Sequence, residues 1–394
     1  MKKKLLIGFI TSIISVTLLT GCGSTSGNSS NNDDTIKIGS IGPLSGSAST
    51  YGLSVKEGAQ LLEKEINSSG GINGKQIKFI FEDDQAATDP AMQAFNKLVH
   101  DEKVCAILGP VTSGSTLAVA PNATSSKIPL ITPTSTEPTI TKVGGEYVFR
   151  GCFVDSFQGE GLAKYASDTL NKKTASILYN ASSDYSKGIA DSFKKTFEEN
   201  GGKVDEFLTY SSDKDTDFNA QLTKIKSSNS DILLLPDYYN VVGLIAKQAR
   251  GIGIESQLLG GDGWDSEDLA KIGGDAVSGA IYMNHYYPDD SNEQIKSFIE
   301  NYKKEYNKDP DSFAALGYES SKILTEAIKN AGSTDPEAIR SALMNTQLDS
   351  ITGNIKFNDE RSAVKSAVLI KIDKVEGTGD NAVAAKSLAG KVNP

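Results

Sequence analysis

Residues 109–116 have the glycine spacing of a phosphate-binding loop, and they lie between a predicted strand and a predicted helix. Ser115 stands where such a loop has the lysine that holds a nucleotide triphosphate, so nucleotide binding is not expected. A turn of glycine and serine before a helix still presents free backbone N–H groups and the positive end of the helix dipole. The segment therefore predicts a binding site for another anion.

The other reactive side chains do not form a catalytic or metal-binding set. The sequence has no G-x-S-x-G motif, and its two histidines lie far apart along the chain. Three aspartates alternate as they do at the start of a calcium loop: Asp213, Asp215 and Asp217. Phe218 replaces the glycine that such a loop needs, and Lys224 replaces its closing glutamate, which favours a solvated acidic turn. We expect no enzyme activity, no cofactor and no metal.

The elements that must position the anion site alternate along the chain between short apolar runs and amphipathic stretches. The predicted strands are 36–41, 77–81, 104–108, 128–131, 175–179, 204–207, 232–235, 257–259, 355–357 and 367–372. The predicted helices are 55–66, 90–100, 115–125, 186–199, 218–225, 241–249, 295–306, 312–330 and 336–344. This order implies parallel sheets covered by helices, and it restarts near residue 175. We therefore predict two doubly wound units, with later elements added back to them.

Composition and charge exclude further classes of protein and of partner. A chain of 394 residues is long enough for two domains, and 38% hydrophobic with 23% charged residues is typical of a globular protein. The net charge of −10 repels polyanions, so nucleic acid is not an expected partner.

The N-terminus begins with three lysines and an apolar stretch over residues 5–19, which is short for a membrane-spanning helix. The stretch ends at Leu-Thr-Gly-Cys22, which resembles the lipobox of bacterial lipoproteins. That resemblance implies removal of residues 1–21 and a lipid on Cys22, which anchors the protein to a membrane. The polar residues 22–34 then form a flexible tether. The alternative is an ordinary signal peptide with an incidental cysteine.

Three cysteines do not make a disulfide framework. With Cys22 lipidated, only Cys105 and Cys152 remain to form a pair. Two buried free thiols are the favoured interpretation.

Short motifs along most of the body resemble the branched-chain amino-acid-binding family of ABC importers, which are periplasmic binding proteins of type I. The shared order and spacing carry the resemblance, since each motif alone is weak. The motifs are Gly42-Pro-Leu-Ser-Gly with Tyr51-Gly52, Gly70-Gly-Ile-Asn-Gly74, Glu82-Asp-Asp, Ile107-Leu-Gly-Pro, Ile131-Thr-Pro-Thr-Ser-Thr136, Phe149-Arg150, Gln158-Gly159, Tyr185-Ser-Lys-Gly188, Gln248-Ala-Arg250 and Gly260-Gly-Asp-Gly263.

The resemblance implies an α/β fold of two Rossmann-like lobes, joined by three crossovers, with a ligand cleft between the lobes. The crossovers are expected near residues 152–155, 283–287 and 357–365. Lobe 1 would contain residues 35–153 and 287–360, and lobe 2 residues 154–286 and 361–394.

The resemblance also implies the residues that hold an amino acid. Ser113 would bind the α-carboxylate, which agrees with the predicted anion site, unless it only caps its helix. Thr134 would offer a backbone carbonyl to the ammonium group, and Thr136 a hydroxyl and an N–H, unless both form an ordinary turn. Asp262 would pair with the ammonium group. The family more often has glutamate here, and a turn residue is the alternative.

Aromatic side chains are expected to line the cleft. By the resemblance these are Tyr51, Tyr185 and Tyr238, whose rings bury a ligand while their hydroxyls donate hydrogen bonds. Packing without ligand contact is the alternative for each of them. Trp264, the only tryptophan, is expected either over the ligand's side chain or in the core.

The function implied is that of an exported, lipid-anchored, monomeric protein that captures a free apolar amino acid by hinge closure. It would deliver this solute to the permease subunits of an ABC importer. The alternative is a sensor of the same fold that detects an amide or an amino acid and signals to a membrane partner. An exported hydrolase is disfavoured, because no nucleophile–base pair is visible.

Overall fold

The computed structural model describes residues 35–212, 214–289 and 291–394. The predictions for the leader, for lipid on Cys22 and for the tether lie outside these residues. None of the helices in these residues combines the length and the apolar character that a membrane crossing requires.

The strands are β1 (Ile36–Gly42), β2 (Ile77–Asp83), β3 (Ile107–Leu108), β4 (Leu130–Thr132), β5 (Val148–Arg150), β6 (Thr174–Asn180), β7 (Lys203–Tyr210), β8 (Ile232–Leu234), β9 (Gln257–Gly260), β10 (Ile281–Asn284), β11 (Gln347–Ser350), β12 (Gly353–Lys356), β13 (Ala367–Glu376) and β14 (Val383–Val392). The helices are α1 (Ser49–Ser68), α2 (Thr88–Asn96), α3 (Ser113–Ser125), α4 (Ile140–Gly144), α5 (Asp155–Lys164), α6 (Asp184–Glu199), α7 (Asn219–Ser228), α8 (Tyr239–Gly251), α9 (Asp268–Gly273), α10 (Glu293–Tyr306), α11 (Ser312–Ala331) and α12 (Pro336–Met344).

The first sheet has the strand order β2-β1-β3-β4-β5, and all its pairs are parallel. Its central strands are buried, as expected where helices cover both faces of a sheet. The predicted strand over residues 104–108 is shorter in the structure, where only Ile107–Leu108 forms the ladder.

Helices α1 and α11 pack closely beside this sheet because glycines face each other across the contact. A Cβ atom on Gly58 would lie 2.1 Å from the carbonyl oxygen of Ala314. A Cβ atom on Gly317 would lie 2.5 Å from the carbonyl oxygen of Val55. This close approach sets where the first turns of α1 and α11 lie, and both turns contribute rings to the candidate site described below.

The second sheet has the strand order β14-β13-β10-β9-β8-β6-β7. Strands β6 to β10 pair in parallel, whereas β13 and β14 form an antiparallel hairpin that adds to β10. The sequence patterns did not predict β5, β10, β11 or β14. Strand β14 is a partly exposed edge strand of small and charged residues, so it lacks the apolar run that marks a buried strand.

The chain passes three times between the two sheets. It leaves the first sheet after β5 and enters α5, which packs on α6 and β10. It returns after β10 to α10, which packs on α1. After β12, Ser362 pairs with Arg150 beside the first sheet, and the chain then enters β13 of the second. The prediction of an α/β fold with two Rossmann-like lobes and three connections is confirmed.

A buried ion pair fixes the third connection. Lys365 pairs with Glu319 of α11, and their side chains are 1% and 0% exposed. Glu319 also accepts hydrogen bonds from the N–H and the hydroxyl of Thr352, so both of its oxygens have donors.

The two cysteines in the described residues are buried and unpaired, which confirms the interpretation as free thiols. The Sγ atom of Cys105 lies 3.3 Å from the carbonyl oxygen of Lys37. The Sγ atom of Cys152, in the first connection, lies 3.4 Å from the carbonyl oxygen of Ser135.

Candidate functional site

The structure brings all seven sequence-predicted ligand residues to one small pocket between the two lobes. All of these residues are buried except Tyr238, which is partly exposed. They are Tyr51, Ser113, Thr134, Thr136, Tyr185, Tyr238 and Asp262. The pocket is completed by Val111, Thr112, Gly263 and Phe313. Each predicted residue begins a helix or follows the carboxyl end of a strand, except Tyr51 and Tyr185, which lie in the first turns of their helices.

One end of the pocket is the start of helix α3. The helix begins at Ser113, and the preceding Thr112 has an extended backbone, with φ −96° and ψ 148°. No side chain caps this helix, so the proposal that Ser113 only serves as a cap finds no support. The Oγ1 atom of Thr112 is buried and has no hydrogen-bond partner within the described part of the chain. A helix start with hydroxyls and uncapped N–H groups suits an anion.

The loop after β4 is held against this helix start by hydrogen bonds. The hydroxyl of Thr134 donates to the carbonyl oxygen of Val111 at 2.6 Å. The carbonyl oxygen of Thr136 accepts from the Nη1 atom of Arg150 at 3.0 Å and from the N–H of Asp155 at 2.8 Å. Because their partners are fixed, the two threonines are placed at the pocket with little freedom.

The pocket also contains the carboxylate of Asp262, which is 3% exposed. Its Oδ1 atom accepts from Gln158 Nε2 at 3.0 Å and from the Tyr185 hydroxyl at 2.9 Å. Its Oδ2 atom lies 2.9 Å from His285 Nε2. Among the described residues no lysine or arginine pairs with Asp262. A positively charged partner would stabilise this carboxylate, because a buried charge without an opposite charge is costly.

A second buried acid, Asp155, lies next to Asp262 at the start of α5. Gln158 Nε2 lies 3.3 Å from its Oδ1 atom, so this one amide contacts both acids. Burial raises the pKa of Asp155 well above its usual value. Burial therefore disfavours the charged form of this second acid.

Aromatic rings from both lobes also line the pocket. Tyr51 of α1 stacks on Phe313 of α11 with ring centroids 4.1 Å apart. In the second lobe Tyr185 stacks on Tyr238 at 5.1 Å, and the edge of Tyr238 meets Tyr51 at 5.3 Å. These contacts between the lobes form an apolar wall for a small side chain.

Direct hydrogen bonds also cross between the lobes at the pocket. The hydroxyl of Tyr51 donates to the carbonyl oxygen of Gly263. The hydroxyl of Tyr239 donates to the carbonyl oxygen of Ser47 at 2.8 Å. The lobes therefore contact one another around the pocket, as in a closed arrangement.

Trp264 belongs to the core, which was one of its two predicted positions. The side chain is 0% exposed, and its Nε1 atom donates to the carbonyl oxygen of Leu235 at 2.9 Å. The indole packs directly on Gly260, where a Cβ atom would lie 2.0 Å from the ring. It does not line the pocket.

Sequence reasoning gave no role to Gln158, Asp155 or His285. Gln158 and His285 contact Asp262 directly, and they lie 104 and 23 positions away from it in the sequence. Only Gln158 had a local signal, because it lies in one of the motifs that carry the family resemblance.

Two α/β lobes that meet around a pocket lined by a helix start that suits an anion and by a buried carboxylate define a solute-binding protein with two lobes. The family model described as periplasmic binding protein matches residues 35–376. The chain therefore belongs to this family, which is extracytoplasmic, and its named relatives are substrate-binding proteins rather than enzymes.

Three relatives show the similarity in detail. The chain is 32% identical to the leucine-, isoleucine-, valine-, threonine- and alanine-binding protein of Pseudomonas aeruginosa, over 84% of this chain and 88% of that protein. A leucine-binding protein of Thermotoga maritima is 35% identical, with a TM-score of 0.84 over 91% of this chain and 99% of that chain. A substrate-binding protein of a branched-chain amino acid transporter of Streptococcus pneumoniae, in complex with isoleucine, is 37% identical, with a TM-score of 0.82 over 90% and 100%.

Proposed function

We propose that this protein captures a free apolar amino acid outside the cytoplasm and delivers it to the permease of an ABC importer. The observation that carries the proposal is that one pocket contains partners for both charged groups of an amino acid. Ser113 at the uncapped start of α3 suits an α-carboxylate, and Asp262 suits an α-ammonium group. The rings of Tyr51, Tyr238 and Phe313 would cover an aliphatic side chain.

The expected affinity is physically reasonable for a ligand of this size. Micromolar binding requires about 8 kcal/mol, which is about 0.9 kcal/mol for each of the roughly nine heavy atoms of leucine. This value is below the ceiling of about 1.5 kcal/mol per atom for very efficient small ligands. Such efficiency requires near-complete burial and paired charges. Closure of two lobes around the ligand supplies both.

Closure would move the lobes as two bodies about the three connections. We assign residues 35–153 and 287–360 to one body, and residues 154–286 and 361–394 to the other. The hydrogen bonds from Tyr51 and Tyr239 across the pocket would then form only when the lobes close. The protein is expected to act as a monomer.

A lipid on Cys22 would hold the loaded protein beside its permease. Replacing Cys22 with serine is expected to release the protein from the membrane fraction or to leave its leader uncleaved. Fractionation of cells that express each form measures this. Unchanged membrane retention with normal cleavage would exclude the lipid anchor.

The ligand is tested by thermal unfolding with each of the twenty amino acids, followed by calorimetry on those that stabilise the protein. Asp262→Ala and Thr136→Ala are expected to weaken binding of the best ligand by at least about 10-fold, because each removes a partner of a charged group. Asp191→Ala and Thr223→Ala are matched controls on exposed helical surfaces, and should leave affinity unchanged.

Unchanged affinity in both pocket variants would mean that the pocket is assigned wrongly. Stabilisation by none of the amino acids would contradict the proposed ligand class. Transport assays with the permease distinguish import from signalling, since a sensor would bind the same ligand without supporting uptake.

A further inference from the structure

His285 lies one residue beyond the end of β10, in the second connection between the lobes. Its Nε2 atom is 2.9 Å from the Oδ2 atom of Asp262. Its ring stacks on Phe153 of the first connection, with ring centroids 3.8 Å apart and an angle of 11° between the planes. The imidazole of the second connection therefore contacts both the first connection and the carboxylate of Asp262.

The surroundings of His285 determine its charge and its tautomer. Burial lowers the pKa of His285, although the hydrogen bond to Asp262 acts in the opposite direction. The ring is therefore neutral at pH 7 and carries one proton. Its Nδ1 atom is buried without a hydrogen-bond partner in the described part of the chain, whereas Nε2 faces a carboxylate. The proton accordingly lies on Nε2 and is donated to Asp262.

The position of this donor differs from that of the other two. Gln158 and Tyr185 both donate to Oδ1 of Asp262, on the side of helices α5 and α6. Within residues 35–212, 214–289 and 291–394, His285 alone reaches Oδ2. Without it, the carboxylate would be held at one oxygen, and the other oxygen would be buried without a partner. A neutral donor orients the carboxylate and leaves its charge available to a ligand.

We propose that His285 is a positioning residue, which fixes the plane of the Asp262 carboxylate for the ammonium group of the ligand. It also fastens this carboxylate to the connections about which the lobes move. The inference rests on the proposed function, because it requires a ligand with a positively charged group at Asp262.

The test compares L-leucine with 4-methylpentanoate, which has the same carbon skeleton and carboxylate but no amine. Binding of both is measured by calorimetry to the wild-type protein and to three variants. His285→Phe keeps a ring on Phe153 and removes the donor. His285→Gln places an N–H close to the position of Nε2. His285→Asn is its matched control, because the same amide is too short to reach Asp262.

His285→Phe and His285→Asn are expected to weaken leucine binding by at least about 10-fold, since each loses a hydrogen bond to a charged group. Binding of 4-methylpentanoate should change less than about 2-fold. His285→Gln should bind leucine within about 3-fold of wild type. Thermal unfolding of each variant checks that it is folded, and the Gln–Asn comparison remains decisive if the Phe variant is not.

Equal losses for the two ligands would show a purely structural role and would overturn the inference. Leucine affinity that is unchanged in all three variants would also overturn it. A wild-type protein that binds no amino acid would instead contradict the proposed function and the inference together, so the two failures are distinguishable.

Discussion

Replacing Asp311 with asparagine is expected to stabilise the protein at pH 8 and to have a smaller effect at pH 5. Asp311 precedes α11 and accepts from the N–H of Ala314 at 2.8 Å and from the Ser54 hydroxyl at 2.6 Å. An asparagine retains the cap, since asparagine and aspartate are about equally good at this position. It removes the negative charge, and its amide N–H₂ replaces the Oδ2 atom that accepts from Ser54, whose hydroxyl oxygen can then accept instead.

The charge of Asp311 is unfavourable for two reasons. Burial raises its pKa from 3.8 to about 7, and the nearby carboxylate of Asp265 contributes to this rise. Asp265 itself remains ionised. Although its burial acts against ionisation, Lys386 and the donors around it lower its pKa below the usual range. Asp265 belongs to the second lobe and accepts from the N–H of Ser312 in the first at 2.8 Å, so the two carboxylates meet at the contact between the lobes.

The direction of the effect follows from proton binding. Below pH 3.8 the folded and unfolded states both hold the proton, so the group contributes nothing. Between pH 3.8 and about 7 the folded state holds a proton that the unfolded state has released, and stability falls as pH rises. Above about pH 7 the loss is complete. The rise in pKa from 3.8 to about 7 then corresponds to a loss of about 4 kcal/mol in the free energy of unfolding, at about 1.36 kcal/mol for each pKa unit.

Because part of the Asp311 side chain reaches solvent, screening reduces this value, and we expect a gain of about 2–4 kcal/mol at pH 8. The gain at pH 8 should exceed that at pH 5 by about 2 kcal/mol. Urea unfolding followed by circular dichroism measures both. Asp309→Asn is the matched control, because that side chain is 75% exposed, and it should change stability by less than about 0.5 kcal/mol. A gain that is equal at the two pH values, or a destabilisation at pH 8, would refute the reasoning.

Three further substitutions test other parts of the structure. Lys365→Met is expected to cost about 3–5 kcal/mol in urea unfolding, because it leaves Glu319 charged and buried, and adding Glu319→Gln should recover much of this loss. A single variant as stable as wild type would contradict the burial of this pair. Tyr239→Phe removes the hydrogen bond to Ser47 of the other lobe and should weaken amino acid binding about 2- to 10-fold, as measured by calorimetry. Unchanged affinity would mean that this hydrogen bond does not favour closure. Gly58→Ala should lower the free energy of unfolding by about 3 kcal/mol or more, because its Cβ atom would meet the backbone of α11. Gly251→Ala is the control, because the space around that residue is open, and it should leave stability unchanged. Thermal unfolding of both variants measures the difference.

The site was predictable to the extent that local motifs mark where strands end and helices begin. Ser113 and Thr136 follow neighbouring strands of the first sheet, so they lie at the same edge of it, whereas Asp262 follows a strand of the second sheet. The family resemblance, and not a predicted strand order, assigned these residues to one cleft. Their roles in binding remain predictions.

The parts that could not be predicted depend on packing between distant segments. Helix α5 has no apolar stripe because it packs through small residues, and a Cβ atom on Gly159 would lie 2.7 Å from the carbonyl oxygen of Ile189. The contact of His285 with Asp262 depends on how the second connection passes the pocket, which no local pattern encodes. Strand β14 pairs at an exposed edge, where burial places no demand on residue type.

The two buried thiols make the opening of this protein chemically measurable. Burial raises the pKa of both Cys105 and Cys152 to about 12, so at neutral pH almost none of either side chain is the reactive thiolate. Oxidants and maleimides should therefore attack them only after the surrounding structure has opened. Cys105 lies beside the first sheet and Cys152 lies in the first connection. The labelling rate of Cys105 therefore reports how often the first lobe opens, and that of Cys152 reports how often the connection between the lobes opens, in one sample.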